Sequence, residues 1–109
     1  MVNVNIELTK NAQFQIKHAI KWRAKSQGES AARDAIKFTI TDWRNQLLVM
    51  PECGRHCEHY DSSLFREIIK GDYRFIYELR KNGDSFSIYL LIFCHVKMDY
   101  QTLIQQSYP

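Results

Sequence analysis

Val4, Ile6 and Leu8 alternate with Asn5 and Glu7, the two-residue period of a strand with one face buried. From Asn11 to Ser26 the apolar positions recur instead at intervals of three and four (Ala12, Ile16, Ala19, Ile20, with Phe14 and Trp22 alongside), which predicts a helix. Thr9 stands where its N-cap belongs, and Gly28 where it should stop. A second helix follows, with Ser30 as its expected cap and Ala32, Ile36, Ile40, Trp43 and Leu47 as its apolar stripe, ending near Pro51. So few residues separate the two that an antiparallel hairpin is expected, both apolar faces resting on a common partner.

A sheet supplies that partner. Leu64–Ile69, Tyr73–Arg80 and Phe86–His95 read as strands, joined by turn signals at Lys70-Gly71-Asp72 and Asn82-Gly83-Asp84. In the middle strand Tyr73, Phe75, Tyr77 and Leu79 share one face, while Arg74, Ile76, Glu78 and Arg80 share the other. The last strand is apolar on both faces, which suggests a central place. The expected fold class is α+β, in the order β-α-α-β-β-β: an N-terminal helical hairpin packed on a mainly antiparallel four-stranded sheet, with the opposite face free to bind. Residues 98–109 read as a polar tail carrying Tyr100, Leu103 and Ile104.

Composition narrows the class. With 109 residues, 45% of them hydrophobic and 25% charged, the chain is expected to form one domain over 1–109, and a disordered protein is excluded. The longest apolar run, Ile88 to Cys94, is far short of the ~20 residues of a membrane span, and the N-terminus lacks a basic segment followed by an apolar one. A cytoplasmic protein without a membrane partner is expected. Cys53, Cys57 and Cys94 are an odd number for disulfides and read as thiols in a reduced compartment. The net charge of +3 tolerates an acidic partner without demanding one.

Two clusters hold residues with chemistry. Cys53, His56, Cys57 and His59 are all zinc-ligand types, but they crowd into one short stretch, whereas structural zinc sites draw on two separated pairs. A solvated loop is expected, with no metal. The second cluster is Arg66, Arg74, His95, Lys97 and Tyr100, placed on neighbouring strands or just past the last one. His95 or Tyr100 suits proton transfer and the cations suit a charged phosphorane, which is what RNA cleavage requires. The competing reading leaves the arginines solvated or paired with Glu67 and Glu78. Trp22 and Trp43 read as core or inter-helix packing, Cys94 as a small buried hydrophobe, and His18 as a surface residue. No phosphate loop, nucleophile elbow or cofactor motif is present, and no small-molecule cofactor is expected.

The order of short motifs along residues 4–100 resembles the RelE/ParE superfamily of bacterial type II toxin–antitoxin toxins. Met50-Pro51-Glu52-Cys53-Gly54-Arg55 is similar to its Pro-x-x-Gly-Arg element, Phe65-Arg66-Glu67-Ile68 to its Leu-Arg-Glu-Leu strand, and Tyr73-Arg74-Phe75-Ile76-Tyr77 to its Tyr-Arg-Ile-x-Tyr strand. Phe93-Cys94-His95-Val96-Lys97-Met98-Asp99 resembles its closing strand, with Lys97-Met98 where the family has an arginine pair. The resemblance implies a toxin neutralised by a cognate antitoxin, and it leaves two activities open. The ParE-like branch inhibits DNA gyrase without covalent chemistry of its own. The RelE-like branch cleaves mRNA on the ribosome, here through Arg74, His95, Lys97 and Tyr100. Val96 in place of an arginine and the lack of lysine between Arg55 and Ser63 favour the ParE-like reading, with Arg66, Arg74, Arg80 and Lys97 as the expected target-binding cations.

Overall fold

Among residues 3–57 and 64–96, which the computed structural model describes, the chain runs β1 (Asn3–Leu8), α1 (Lys10–Gln27), α2 (Glu29–Val49), β2 (Arg55–His56), β3 (Phe65–Lys70), β4 (Tyr73–Asn82) and β5 (Ser85–His95). The strands form one sheet in the order β1-β5-β4-β3-β2. The pairing is antiparallel except between β1 and β5, which run parallel because the helical hairpin carries the chain back across the sheet. The helical hairpin on a mainly antiparallel sheet is as expected. The sheet has five strands and not four, because the Pro-x-x-Gly-Arg stretch contributes the short β2 at its edge.

Thr9 ties the first strand to the first helix. Its hydroxyl accepts from the Ala12 N–H at 3.1 Å, capping α1, and donates to the Leu90 carbonyl of β5 at 2.8 Å. Thr9→Ala is therefore expected to destabilise the domain by about 1–2 kcal/mol, measurable by urea unfolding. A change below a few tenths would show that water replaces both bonds.

Gly28 does the work expected of two residues. At φ 87° it ends α1, its N–H donating to the Ala24 carbonyl at 2.8 Å, and it is also the residue before the first turn of α2. The positive φ reverses the chain in a single residue. Ser30, expected to cap α2, instead lies inside it, and α2 has no side-chain cap.

Strand parity divides the core in two. Ala12, Ile36, Trp43 and Leu47 from the hairpin pack on Tyr73, Phe75, Tyr77, Leu79, Ile88, Leu90 and Phe93. Trp43 stacks on Phe75 with ring centroids 5.0 Å apart and meets Tyr77 edge-on. Trp22 departs from the expected packing role and stays exposed. On the other face, Cys57, Phe65, Ile76, Leu91, Ile92 and Cys94 form a second buried apolar cluster. That face is not the open surface expected from the sequence, because β5 is apolar on both sides and carries the core through the sheet. β5 does lie inside the sheet, between β1 and β4. Its register against β4 shifts between Ile76 and Tyr77, and near this irregularity the Phe93 N–H donates to the Gln15 side chain of α1 at 2.8 Å.

Candidate functional site

The register decides which of the candidate residues can meet. Arg66 lies opposite Tyr77, and His95 opposite Tyr73, so both belong to the face that carries the helices. Arg74 lies opposite Cys94, and Arg80 opposite Ser87, on the other face. The expected convergence of Arg66, Arg74 and His95 on one concave surface therefore does not occur: neighbours one residue apart in a strand point to opposite sides. The His95 ring meets Tyr73 edge-on at 5.8 Å, within an aromatic row where Tyr73 stacks on Phe93 at 4.9 Å. Lys97, Tyr100 and His59 lie outside the described residues.

Glu67 organises the face opposite the helices. It is 2% exposed, and its Oε1 accepts from Arg55 Nε at 3.0 Å and from a terminal nitrogen of the same guanidinium at 2.5 Å. Its Oε2 lies 3.6 Å from Arg74 Nε, in a side chain only 14% exposed. One buried carboxylate thus stands between two guanidiniums from β2 and β4, a fork geometry that arginine fits better than lysine. Arg80 pairs with Glu78 at 3.2 Å and keeps most of its side chain at the surface, beside a shallow cleft lined by Thr9, Tyr89 and Leu91.

Arg66 acts on the loop before β2. One of its terminal nitrogens donates to the Gly54 carbonyl at 2.8 Å and to the Glu52 carbonyl at 3.2 Å. Gly54 itself is pressed against Tyr77: a β-carbon built there would lie 2.1 Å from the tyrosine hydroxyl. Burial pushes that hydroxyl well above the ordinary tyrosine range, so it stays protonated. The loop is therefore not the solvated segment expected from the sequence. Gly54 and Cys57 are buried within it, and Cys53 accepts a hydrogen bond from Gln46 at 3.2 Å. Cys53 packs with the core under the helices and Cys57 with the cluster on the other face, so the sheet separates them. Among the described residues no three His, Cys, Asp or Glu side chains are grouped as metal ligands.

The motifs that linked the sequence to a superfamily thus interlock as one structure, and comparison with known proteins names the branch. The family model described as the ParE toxin of type II toxin–antitoxin systems, parDE, matches residues 6–100. The chain belongs to the ParE toxin family. Among solved structures, one chain of the chromosomal ParDE TA system from P. aeruginosa superposes with a TM-score of 0.60, covering 86% of this chain and 97% of that one at 15% identity. At that identity the likeness is one of fold. No curated protein matches.

In this ParE-family toxin the competing sequence reading, arginines paired with Glu67 and Glu78, holds for Arg74 and Arg80, whereas the loop carbonyls that engage Arg66 were not foreseen. A glutamate beside Arg66 on β3 must point away from it, toward the Arg74 side of β4; that alternation was the available signal. Cys94, between Arg74 and the apolar cluster, is the buried hydrophobe expected. Burial, partly offset by Arg74, pushes its thiol up from 9.0 to about 11. The folded state therefore keeps this proton after the unfolded chain has lost it. The resulting stability is complete below about pH 9 and is lost as pH rises toward 11, about 3 kcal/mol in all. Urea unfolding of wild type and Cys94→Val at pH 7.5, below this window, and at pH 10.5, well inside it, should show a smaller alkaline loss in the variant. Equal losses would place the alkaline sensitivity elsewhere.

Proposed function

We propose that this ParE-family toxin inhibits DNA gyrase by binding and is neutralised by a cognate antitoxin. The observation that carries this reading is the family match over residues 6–100. Strand parity supports it. A ribonuclease mechanism needs a cation and a proton carrier within reach of one phosphate, and Arg74 and His95 lie on opposite faces of the sheet. Glu67 already engages Arg74, and two backbone carbonyls engage Arg66. Arg80 is also paired, with Glu78, but its side chain stays largely at the surface beside the Thr9–Tyr89–Leu91 cleft, and it is the described candidate we assign to the gyrase contact.

The test is a pair of assays with the purified chain. One adds it to gyrase with DNA and ATP, and the other to translating ribosomes with a defined mRNA. Inhibited supercoiling with intact mRNA is the expected result, and Arg80→Ala should weaken inhibition without lowering Tm. Cut mRNA with unaffected gyrase would overturn the proposal in favour of a ribosome-dependent nuclease.

A further inference from the structure

The three cysteines differ in access. Cys57 and Cys94 are each 3% exposed, whereas Cys53 is half-buried, packed against the core under the helices while still reaching solvent. Cys53 is held in place by two hydrogen bonds: its N–H donates to the Met50 carbonyl at 3.1 Å, and the Gln46 side-chain nitrogen donates to its Sγ at 3.2 Å. Exposure makes a thiol open to attack, but the groups around it decide which product persists.

Two inaccessible polar atoms beside Cys53 lack hydrogen-bond partners among the described residues. One is the hydroxyl of Tyr77, a side chain with 0% exposure. This hydroxyl presses on Gly54, the residue after Cys53. Burial first, and then negative charge on Cys53, raise its pKa, so the two side chains face each other; the Gly54 backbone tempers the rise without reaching hydrogen-bond geometry. The other atom is Gln46 Oε1, on the amide that already donates to Cys53. Folded proteins seldom leave such atoms unpaired. A thiol, a weak donor and a weak acceptor, serves an unpartnered hydroxyl and an unpartnered carbonyl poorly. A sulfenic acid carries an oxygen that accepts and an O–H that donates, and so matches both.

We infer that Cys53 is a site of reversible oxidation by peroxide, with Tyr77 and Gln46 holding the sulfenic acid that forms. The sulfur attacks one oxygen of hydrogen peroxide. An S–O bond forms as the O–O bond breaks, the sulfur gives up two electrons, and the displaced oxygen leaves as water with the thiol proton. The new oxygen accepts from the Tyr77 hydroxyl, and its own proton is donated to Gln46 Oε1. Cys57 lies across the sheet and Cys94 beside it on that same far face, so neither of the other thiols is placed to condense with the product. The sulfenic acid therefore persists until a small-molecule thiol converts it, with loss of water, to a mixed disulfide and a second thiol restores Cys53. This site is independent of the gyrase and antitoxin readings.

The experiment oxidises the full chain with hydrogen peroxide, removes the peroxide, adds dimedone after increasing delays and maps the adduct by peptide mass spectrometry. The adduct is expected on Cys53 at least about tenfold above Cys57 and Cys94, and dithiothreitol added before dimedone should abolish it. Tyr77→Phe keeps the ring and removes the hydroxyl; it should shorten the trappable lifetime several-fold and shift the product toward sulfinic acid. Gln46→Met should do the same, and being nearer the surface it carries the test if Tyr77→Phe alters the urea midpoint. Labelling of Cys53 only when the chain is unfolded in urea, or equal labelling of all three cysteines in the folded chain, would overturn the site. Wild-type lifetimes in both variants would overturn the roles given to Tyr77 and Gln46.

Discussion

Replacing Glu67 with Gln is expected to destabilise the domain by about 3 kcal/mol and lower its Tm by roughly 15 °C. The substitution keeps the shape and removes the charge. Arg74, 14% exposed, then keeps a largely buried guanidinium whose carboxylate has gone, and Arg55 meets a neutral amide oxygen in place of a charged one. Breaking one side of a buried ion pair is costly because the remaining charge was desolvated on the expectation of a partner. Arg55→Ala should cost less, about 1 kcal/mol, since that side chain is largely exposed and water can replace it at little penalty. A double-mutant cycle with Arg74→Met separates the pair from its surroundings: adding Glu67→Gln to Arg74→Met should do much less harm than adding it to wild type. A Tm within a few degrees of wild type for Glu67→Gln alone would mean that water already shares this carboxylate.

Gly54→Ala should come next, at about 2–3 kcal/mol, the range for forcing extra atoms into a packed site. Here the need for glycine is one of space, since Gly54 is not among the residues with positive φ. An added β-carbon would meet the Tyr77 hydroxyl at 2.1 Å and the ring carbon beneath it at 2.9 Å. Tyr77 cannot move aside, because Trp43 packs against its ring. The loop cannot move either without losing the two bonds from Arg66 to its carbonyls. Tyr77→Phe removes the nearest obstacle, so the double variant Gly54→Ala/Tyr77→Phe should recover part of the stability lost by Gly54→Ala. Chemical unfolding of the four proteins reads this directly. Additive losses would show that the strain lies in the loop backbone and not against the tyrosine.

These two sites also mark the boundary of what a linear reading could reach. Arg66, Glu67, Gly54 and Arg55 all stand in motifs that the sequence displayed, but those motifs suggested cations facing a target. In the fold, Arg55 and Arg74 meet a buried glutamate, and Arg66 holds carbonyls of the preceding loop. Side-chain type reveals what a residue can bind, whereas burial and register reveal whether a neighbour already occupies it. Arg80 keeps its place at the surface because its partner Glu78 lies on the same strand, two residues away.

The sequence by itself determined the helical hairpin, the Thr9 cap, the three long strands and the pairing of apolar positions in β4, since each follows from periods of a few residues and from turn chemistry. It also carried enough ordered motif to point to the family. Only the tertiary structure decided that β2 adds a fifth strand, that the second face of the sheet is a buried cluster, that Arg74 and His95 are separated, and that Trp22 is exposed while Trp43 is buried. Those outcomes depend on which strands become neighbours and in what register. That is fixed by contacts between residues far apart in the chain, which local periodicity does not encode.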